Sequence, residues 1–370
     1  MATDLIERIT LPKRRTPVYK SVDVLVCGGG IAGVCAAVTA ARAGANVLLV
    51  ERNVVLGGNA PLSFAIDLPV SDGGLGAEIE ARLVAGGEAA PDATTGGLAY
   101  EPEALKYVLL DLAQEAGVHL LLSSWVSTPI MDDGAVRGAM VENKSGRFAI
   151  PAKIVIDATG DGELALRAGA DVREHDGTGA MQMRFRLGEV DIERALAGAA
   201  DWSGLVAKAK REGRLSAEQP DTIVVRGLTD IWKRRNTLYV DGPMLEGQGT
   251  WTPDAMTRAE AKARMLVREF LPFLKSVPGF EQSSLIDLAG TMQVPRTRHI
   301  VGNAEVGDGQ AGALPEDCFL PRGLAKLIVT GQAVSITPQG WAQSRADMSG
   351  AALGERAGQI AARHAIGIYG

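Results

Sequence analysis

Apolar residues along this chain fall into two patterns that change near residue 171. Val22 to Val26 and Val47 to Val50 are short unbroken apolar runs rich in β-branched residues. That is the pattern of strands buried on both faces of a parallel sheet. Lys153 to Asp157 and Leu324 to Thr330 read the same way. Ala32 to Arg42 and Ala77 to Ala85 are expected to be helices. A third starts at Glu101-Pro102, with proline in the first turn, and shows Leu105, Val108, Leu109, Leu112 and Ala116 on one face before Gly117 ends it. Val118 to Leu122, Trp125 to Met131, Ala135 to Glu142 and Phe148 to Ile150 read as short strands. Asp132-Asp133-Gly134 and Lys144-Ser145-Gly146 are expected as hairpin turns. Beyond Asp171 charges rise and amphipathic stretches appear at 190–197, 203–212 and 256–271. Met181 to Leu187 fits a strand of a second sheet, and Pro272, Pro278 and Gly279 are expected to break the long helix. Residues 171–295 therefore read as a second domain inserted into the first, with 1–20 as an arm.

The strand Val22–Val26 runs into Gly28-Gly29-Gly30-Ile31-Ala32-Gly33, then a helix, then a strand ending in Glu51-Arg52. This strand–glycine turn–helix–strand–acid order is the unit that binds the ADP half of a dinucleotide. Gly28 permits the turn, Gly30 lets backbone approach a pyrophosphate, and Gly33 lets the helix lie on the strand. The free N–H groups and dipole of the helix face the phosphates. Glu51 follows Gly33 by 18 residues, near the spacing of the acid that holds a ribose hydroxyl. A second match to the glycine spacing, Gly307-Asp308-Gly309-Gln310-Ala311-Gly312, has no strand leading into it and Pro315 behind it, so it reads as loop. Leu56-Gly57-Gly58-Asn59 and Ala158-Thr159-Gly160-Asp161-Gly162 are further glycine turns, the latter opening a helix. In the last helix Gly350, Gly354 and Gly358 are four apart, which allows close approach of another element or a flat ligand.

Composition is that of an ordinary globular chain: 370 residues, 46% hydrophobic and 22% charged. A net charge of −6 gives no support to a nucleic-acid partner. The basic clusters Lys13-Arg14-Arg15 and Lys233-Arg234-Arg235 read as solvated surface. Cys27, Cys35 and Cys318 match neither a metal knuckle nor a redox pair; the first two read as small buried residues and Cys318 as the one placed to face a site. Three unpatterned cysteines, no long apolar run and no signal-peptide core lead to an expectation of a cytoplasmic protein, without metal or membrane, possible as a homo-oligomer.

Several motifs in this order resemble the FAD-dependent oxidoreductases related to the fumarate reductase and succinate dehydrogenase flavoproteins. They are Val26–Gly33, Leu56-Gly57-Gly58-Asn59, Ile156–Asp161, Val294-Pro295-Arg296-Thr297-Arg298-His299-Ile300-Val301-Gly302, Leu320-Pro321-Arg322-Gly323 and Gly354–Gly358. The resemblance covers nearly the whole chain. It implies an α/β fold, with a Rossmann-like FAD-binding domain of the glutathione-reductase type in 21–170 and 296–370 and an α+β cap or substrate domain in 171–295. FAD would be non-covalent. Gly28, Gly30, Ile31, Ala32 and Gly33 would face the pyrophosphate, and Glu51 the adenosine ribose. Arg52, Gly57, Gly58 and Asn59 would follow the cofactor, and Val126 would meet the adenine through its backbone. Ala158, Thr159, Gly160 and Asp161 would line a second nucleotide contact, while Gly331, Ser349 and Gly350 would sit by the flavin ring. A helix N-terminus there stabilises the charge of reduced flavin. Two features depart from the family: only about twenty residues separate Gly302 from the final strand, and Gln332 stands where arginine is frequent.

The resemblance implies that a flavin carries the hydride chemistry, so that the protein would position substrate and move protons. Arg296, Arg322 and Arg345 suit a carboxylate, and His299 suits proton transfer near neutral pH; ties between the two domains are the competing reading for the arginines, and a structural role for His299. Tyr239 and Trp341 fit either a substrate cavity or a core. With one nucleotide unit and no second for NAD(P)H, the electron donor or acceptor is an unidentified small substrate, oxygen or a carrier protein. The first reading is hydride transfer between FAD and a small organic, possibly carboxylate, substrate. The alternatives are a redox-neutral isomerase or lyase, and a non-catalytic FAD-binding subunit of a redox complex.

Overall fold

The computed structural model describes residues 15–367 except 69–70, 72, 93–96, 176–179, 247–251, 308–313 and 344–349. The chain begins with β1 (Val22–Cys27), α1 (Ile31–Arg42) and β2 (Val47–Val50). It continues with α2 (Asn59–Leu62), β3 (Asp67–Leu68), α3 (Gly74–Ala85), β4 (Ala89–Pro91), β5 (Leu98–Tyr100) and α4 (Pro102–Glu115). Then come β6 (His119–Leu121), β7 (Trp125–Asp132), β8 (Ala135–Asn143), β9 (Gly146–Asp157) and α5 (Glu163–Ala168).

β6, β2, β1 and β9 form a parallel sheet, to which β16 (Leu327–Val329) adds on the far side of β9. β7 and β8 join the same sheet as an antiparallel meander against the first half of β9. Sequence expectation placed two strands where β9 is one. Pairing is continuous through this stretch: Ile150 lies opposite Ala139 and Pro151 opposite Gly138, and Ala152 begins the parallel ladder with β1. Of the arm, Pro17 to Tyr19 hydrogen-bonds along Ala149 at the sheet edge; residues 1–14 lie outside the described chain.

After β10 (Val172–Glu174) a second layer follows: β11 (Met181–Gly188), α6 (Ile192–Ala197), α7 (Trp202–Arg211), β12 (Val224–Arg226), α8 (Asp230–Arg235), β13 (Leu238–Leu245), α9 (Pro253–Leu274) and β14 (Ser284–Leu288). The strands make an antiparallel sheet in the order β12-β13-β11-β14. Strand alternation divides its faces. Phe185 and Val240 are buried in a core with Val267 and Phe270 of α9, while Arg184, Arg186, Tyr239 and Asp241 point the other way. Phe64, Ile66 and Ala99 belong to this second core, so the segment after α2 is shared between the layers. α9 does not stop at Pro272 as the sequence suggests. Proline removes one hydrogen bond in the last turn, and the buried Phe270, Phe273 and Leu274 hold the helix on to Leu274.

β15 (Arg298–Ile300) pairs with β10 and returns the chain to the first layer. α10 (Pro338–Gln343) and α11 (Gly350–Ile366) complete it. The small-residue stripe of α11 meets α1, the neighbouring-element reading. A Cβ at Gly354 would lie 2.1 Å from the Ala32 carbonyl oxygen, and one at Gly358 2.5 Å from that of Ala36. At Gly350 the nearest atom is the Ala32 nitrogen at 3.5 Å, an ordinary contact. Gly354→Ala is therefore expected to destabilise the fold by about 1–3 kcal/mol, as overpacking does. Gly350→Ala should leave the thermal midpoint almost unchanged, and paired melts check the contrast.

Candidate functional site

The groove lies at the carboxyl ends of the parallel strands, where open α/β sheets bind ligands. Gly28 has φ +112°, and a Cβ on it would sit 2.2 Å from the Ala158 carbonyl oxygen. A Cβ at Gly33 would sit 1.9 Å from the Gly28 carbonyl oxygen. These two glycines are required by the protein's own packing. Gly30 is not. Its backbone is ordinary (φ −65°, ψ 173°), and a Cβ there would meet nothing within 4 Å. What its missing side chain keeps clear is the space outside the turn, beside the N–H groups of Ile31, Ala32 and Gly33, which have no partners within the helix.

The second glycine turn is stitched to the first. Gly57 N–H donates to the Gly29 carbonyl at 2.8 Å, and a Cβ on Gly58 (φ +58°) would stand 3.0 Å from Gly30 Cα. Asn59 is exposed at the start of α2. Glu51 is buried, accepting from Gly29 N–H at 2.5 Å and from the backbone and side chain of Asn53 at 2.7 Å each. Its carboxylate thus fixes the glycine turn as well as marking the end of β2. Asp157, missed in the sequence reading, does the same for the third turn. It accepts from Thr159 N–H and Oγ1 and from Ala165 N–H; burial pushes its pKa up against those bonds. The signal was present: an acid closing an apolar strand directly before a glycine turn. Gly160 (φ +102°) opens to space, and Asp161 accepts from Thr297 Oγ1 at 2.7 Å. Val126 is buried and paired with Val141, its carbonyl taking an Arg167 hydrogen bond at 3.3 Å.

At the other end, Gly331 (φ +73°) and Gly350 both approach Ala32, so the last turn of the first layer and the start of α11 converge on α1. Arg296 braces that turn. Its Nε donates to the Gln332 carbonyl and its Nη2 to that of Val334 at 2.7 Å, and the guanidinium lies 4.7 Å over the Trp341 ring. Its Nη1 is buried with no partner among the described residues. Burial lowers its pKa to about 10, still a cation at neutral pH.

Of the other candidate catalytic residues, Arg322 lies away from this place, while His299 sits in β15 close enough to feel the Arg296 charge. Arg322 is exposed in the turn before β16, at the opposite end of that strand from Gly331. Its motif is structural: Pro321 and Arg322 pair by backbone with Gly302 and Val301. His299 is buried, stacked on His175 at 4.9 Å and 3.1 Å from Glu305 Oε1. Desolvation first, with the Arg296 and His175 charges behind it, outweighs Glu305 and pushes its pKa down to about 4. That keeps it uncharged near neutral pH. Cys318 is fully buried in the core, its thiol pushed up to about 11 by desolvation. Tyr239 is likewise enclosed, donating to Glu101 Oε1 at 3.1 Å. Arg345 and Ser349 lie outside the described residues, as does most of the second glycine match; Gly307 itself is in a bend.

The geometry fits a flavin dinucleotide: open space beside Gly30, an acid at the end of β2, and a helix N-terminus at the far end. The fold and this groove define a dinucleotide-binding α/β flavoprotein. Residues 23–311 match the FAD dependent oxidoreductase family, and the chain belongs to it. FAD is the cofactor that membership of this family assigns. It is 32% identical over 169 residues to a digeranylgeranylglycerophospholipid reductase of Methanoculleus marisnigri, covering 40% of this chain and 41% of that one. The chain thus matches about two fifths of that relative's length. A geranylgeranyl bacteriochlorophyll reductase-like protein of Thermoplasma acidophilum shares the fold with TM-score 0.56 at 17% identity, over 93% of this chain and 78% of that one. A flavin-dependent brominase aligns with TM-score 0.57 at 14% identity, over 94% and 80%.

Two outcomes follow. Gly30→Val should leave the melting temperature of flavin-free protein unchanged yet weaken FAD retention at least about tenfold, measured by flavin released on gel filtration; one lost phosphate hydrogen bond to a charged group accounts for that much. For His299 the folded pKa lies below the ordinary value of about 6.5. The unfolded chain therefore takes up a proton first as pH falls, so stability is full above about 6.5 and is lost toward pH 4. His299→Gln should flatten that slope in denaturant melts between pH 7 and 5.

Proposed function

We propose that the chain transfers a hydride between FAD and an organic substrate bearing an anionic group, lodged between the Thr330–Val334 turn and the second layer. The observation that carries this is the buried, unpartnered Nη1 of a charged Arg296 at that turn. A buried guanidinium donor without a partner is costly, and a carboxylate or phosphate oxygen is its natural complement. The bound flavin supplies the hydride chemistry. The chain's own groups bind and orient: the amides of Ile31, Ala32 and Gly33 toward the pyrophosphate, Glu51 toward the ribose, and the start of α11 toward the pyrimidine edge. Arg296 would hold the substrate's anion while its other two nitrogens keep the turn in place.

The first reading is a small carboxylate, in keeping with a motif order that resembles that of the fumarate reductase flavoproteins. The second is a prenyl phospholipid, favoured by the names of the curated relatives, whose phosphate would take the same place. Redox-neutral turnover and a purely structural flavin subunit have no observation in their favour.

The test is anaerobic. Protein reduced with dithionite is offered short unsaturated carboxylates or a geranylgeranyl phospholipid in micelles, and the oxidised flavin band is followed. Recovery with one class and not the other identifies the substrate. Arg296→Lys should raise KM for that class about tenfold or more while the FAD content holds. Recovery with neither class, together with reduction by neither saturated product, overturns the reading.

A further inference from the structure

The sequence reading left Trp125 as one residue of a strand, and no part of the fold's core uses its side chain. It is 45% exposed, one of the larger apolar groups on the surface. Its location is specific. Ser123 N–H donates to the Asn53 carbonyl and Ser124 N–H to the Glu51 carbonyl, both at 3.0 Å. The start of β7 is thereby laid along the segment that carries Glu51. The Arg52 guanidinium rests over the Trp125 ring, 5.3 Å from its centroid. Among the described residues Arg52 has no carboxylate within salt-bridge distance, so the indole face is the contact that orients it. Glu163 feels the Arg52 charge across the same opening, with Gly160 beside it open to space.

From this juxtaposition we infer that the Arg52–Trp125 pair is the recognition element for the adenine ring. This rests on the placement of the dinucleotide along α1. If Glu51 takes the adenosine ribose, the base emerges at the end of β2, where the indole and guanidinium planes stand. Both are flat surfaces that accept any purine face, and both lie outside the core, where a ligand can reach them without rearrangement. The pair would also explain an exposed tryptophan: its remaining surface is covered when the nucleotide is bound. Val126, buried and already paired, then supplies the strand that fixes the indole, while base recognition comes from the side chain one residue earlier.

The experiment uses flavin-free protein titrated with ADP, and separately with inorganic pyrophosphate, while tryptophan fluorescence is followed. ADP should quench the unaltered protein. Trp125→Ala should bind ADP about tenfold more weakly and lose the quench, whereas pyrophosphate should bind both proteins equally, because stacking on one base has that order of effect. Trp125→Phe should restore most of the ADP affinity. Because the residue is exposed, the melts of these variants should match that of the parent. Equal ADP affinity and an undiminished fluorescence change in Trp125→Ala would overturn the inference while leaving FAD binding intact. Failure of the unaltered protein to bind ADP at all would overturn the nucleotide placement and the inference together.

Discussion

The structure depends on main chain meeting main chain without side chains between. Gly33 sits on the Gly28 carbonyl, Gly28 on that of Ala158, and Gly354 on that of Ala32. In each case a single methyl group would fall under 3.0 Å from backbone, which no rotamer change can relieve. Together these contacts clamp α1 between the parallel sheet and α11. The clamp aims the first turn of α1, and with it the polar ends of three peptide groups, at one fixed region outside β1. A groove built this way is set by packing and not by flexible polar side chains. Its geometry is therefore built into the packed backbone.

Buried charge serves a different end in each layer. In the first, Glu51 and Asp157 accept backbone N–H groups and so hold glycine turns that have little else to define them. In the second, Asp241 is bracketed by Arg184 and Arg226, and Glu101 receives Tyr239, Trp232 and Arg186. Arg184 also donates to the Phe64 carbonyl. Such networks are tolerated inside a protein when each member is satisfied. Most of these groups are already committed to each other, so they fix the sheet and have little left for a substrate. Arg296 differs from them in that its Nη1 is buried without a partner among the described residues, as are the Nε atoms of Arg298 and Arg356.

The parallel layer was legible because its signals are local. An apolar run, a glycine turn, a helix and an acid follow one another within thirty residues, and each is enforced by sterics at that spot. The stripe Gly350–Gly354–Gly358 was equally plain, since only close packing requires it. Burial was harder to read. His299 and Arg322 sit in two of the motifs that carry the resemblance, and the fold gives those motifs a stacked histidine pair and a backbone bridge. Chemical type at a motif position does not reveal burial. The polar face of the second sheet had a readable trace in the alternation Gln182, Arg184, Arg186. Its partners, Asp241, Glu101 and Asp287, are far away in sequence, and only the folded register brings them together.

The segment from Gly58 to Ile66 explains how the two ends of the site are held in one frame. Gly58 touches Gly30 in the groove, while four residues later the Leu62 carbonyl accepts Thr291 N–H from the second layer. The Phe64 carbonyl accepts Arg184, and Tyr100 Oη donates to the Ala65 carbonyl at 2.6 Å. A chain of nine residues tethered at this many points cannot shift at one end without breaking hydrogen bonds at the other. The distance from the glycine groove to the four-stranded sheet is thus set by short covalent connection and not by a flexible linker. For hydride transfer, where donor and acceptor must be held in contact and alignment, that rigidity is the useful property, since it removes the need to assemble the site after each substrate arrives.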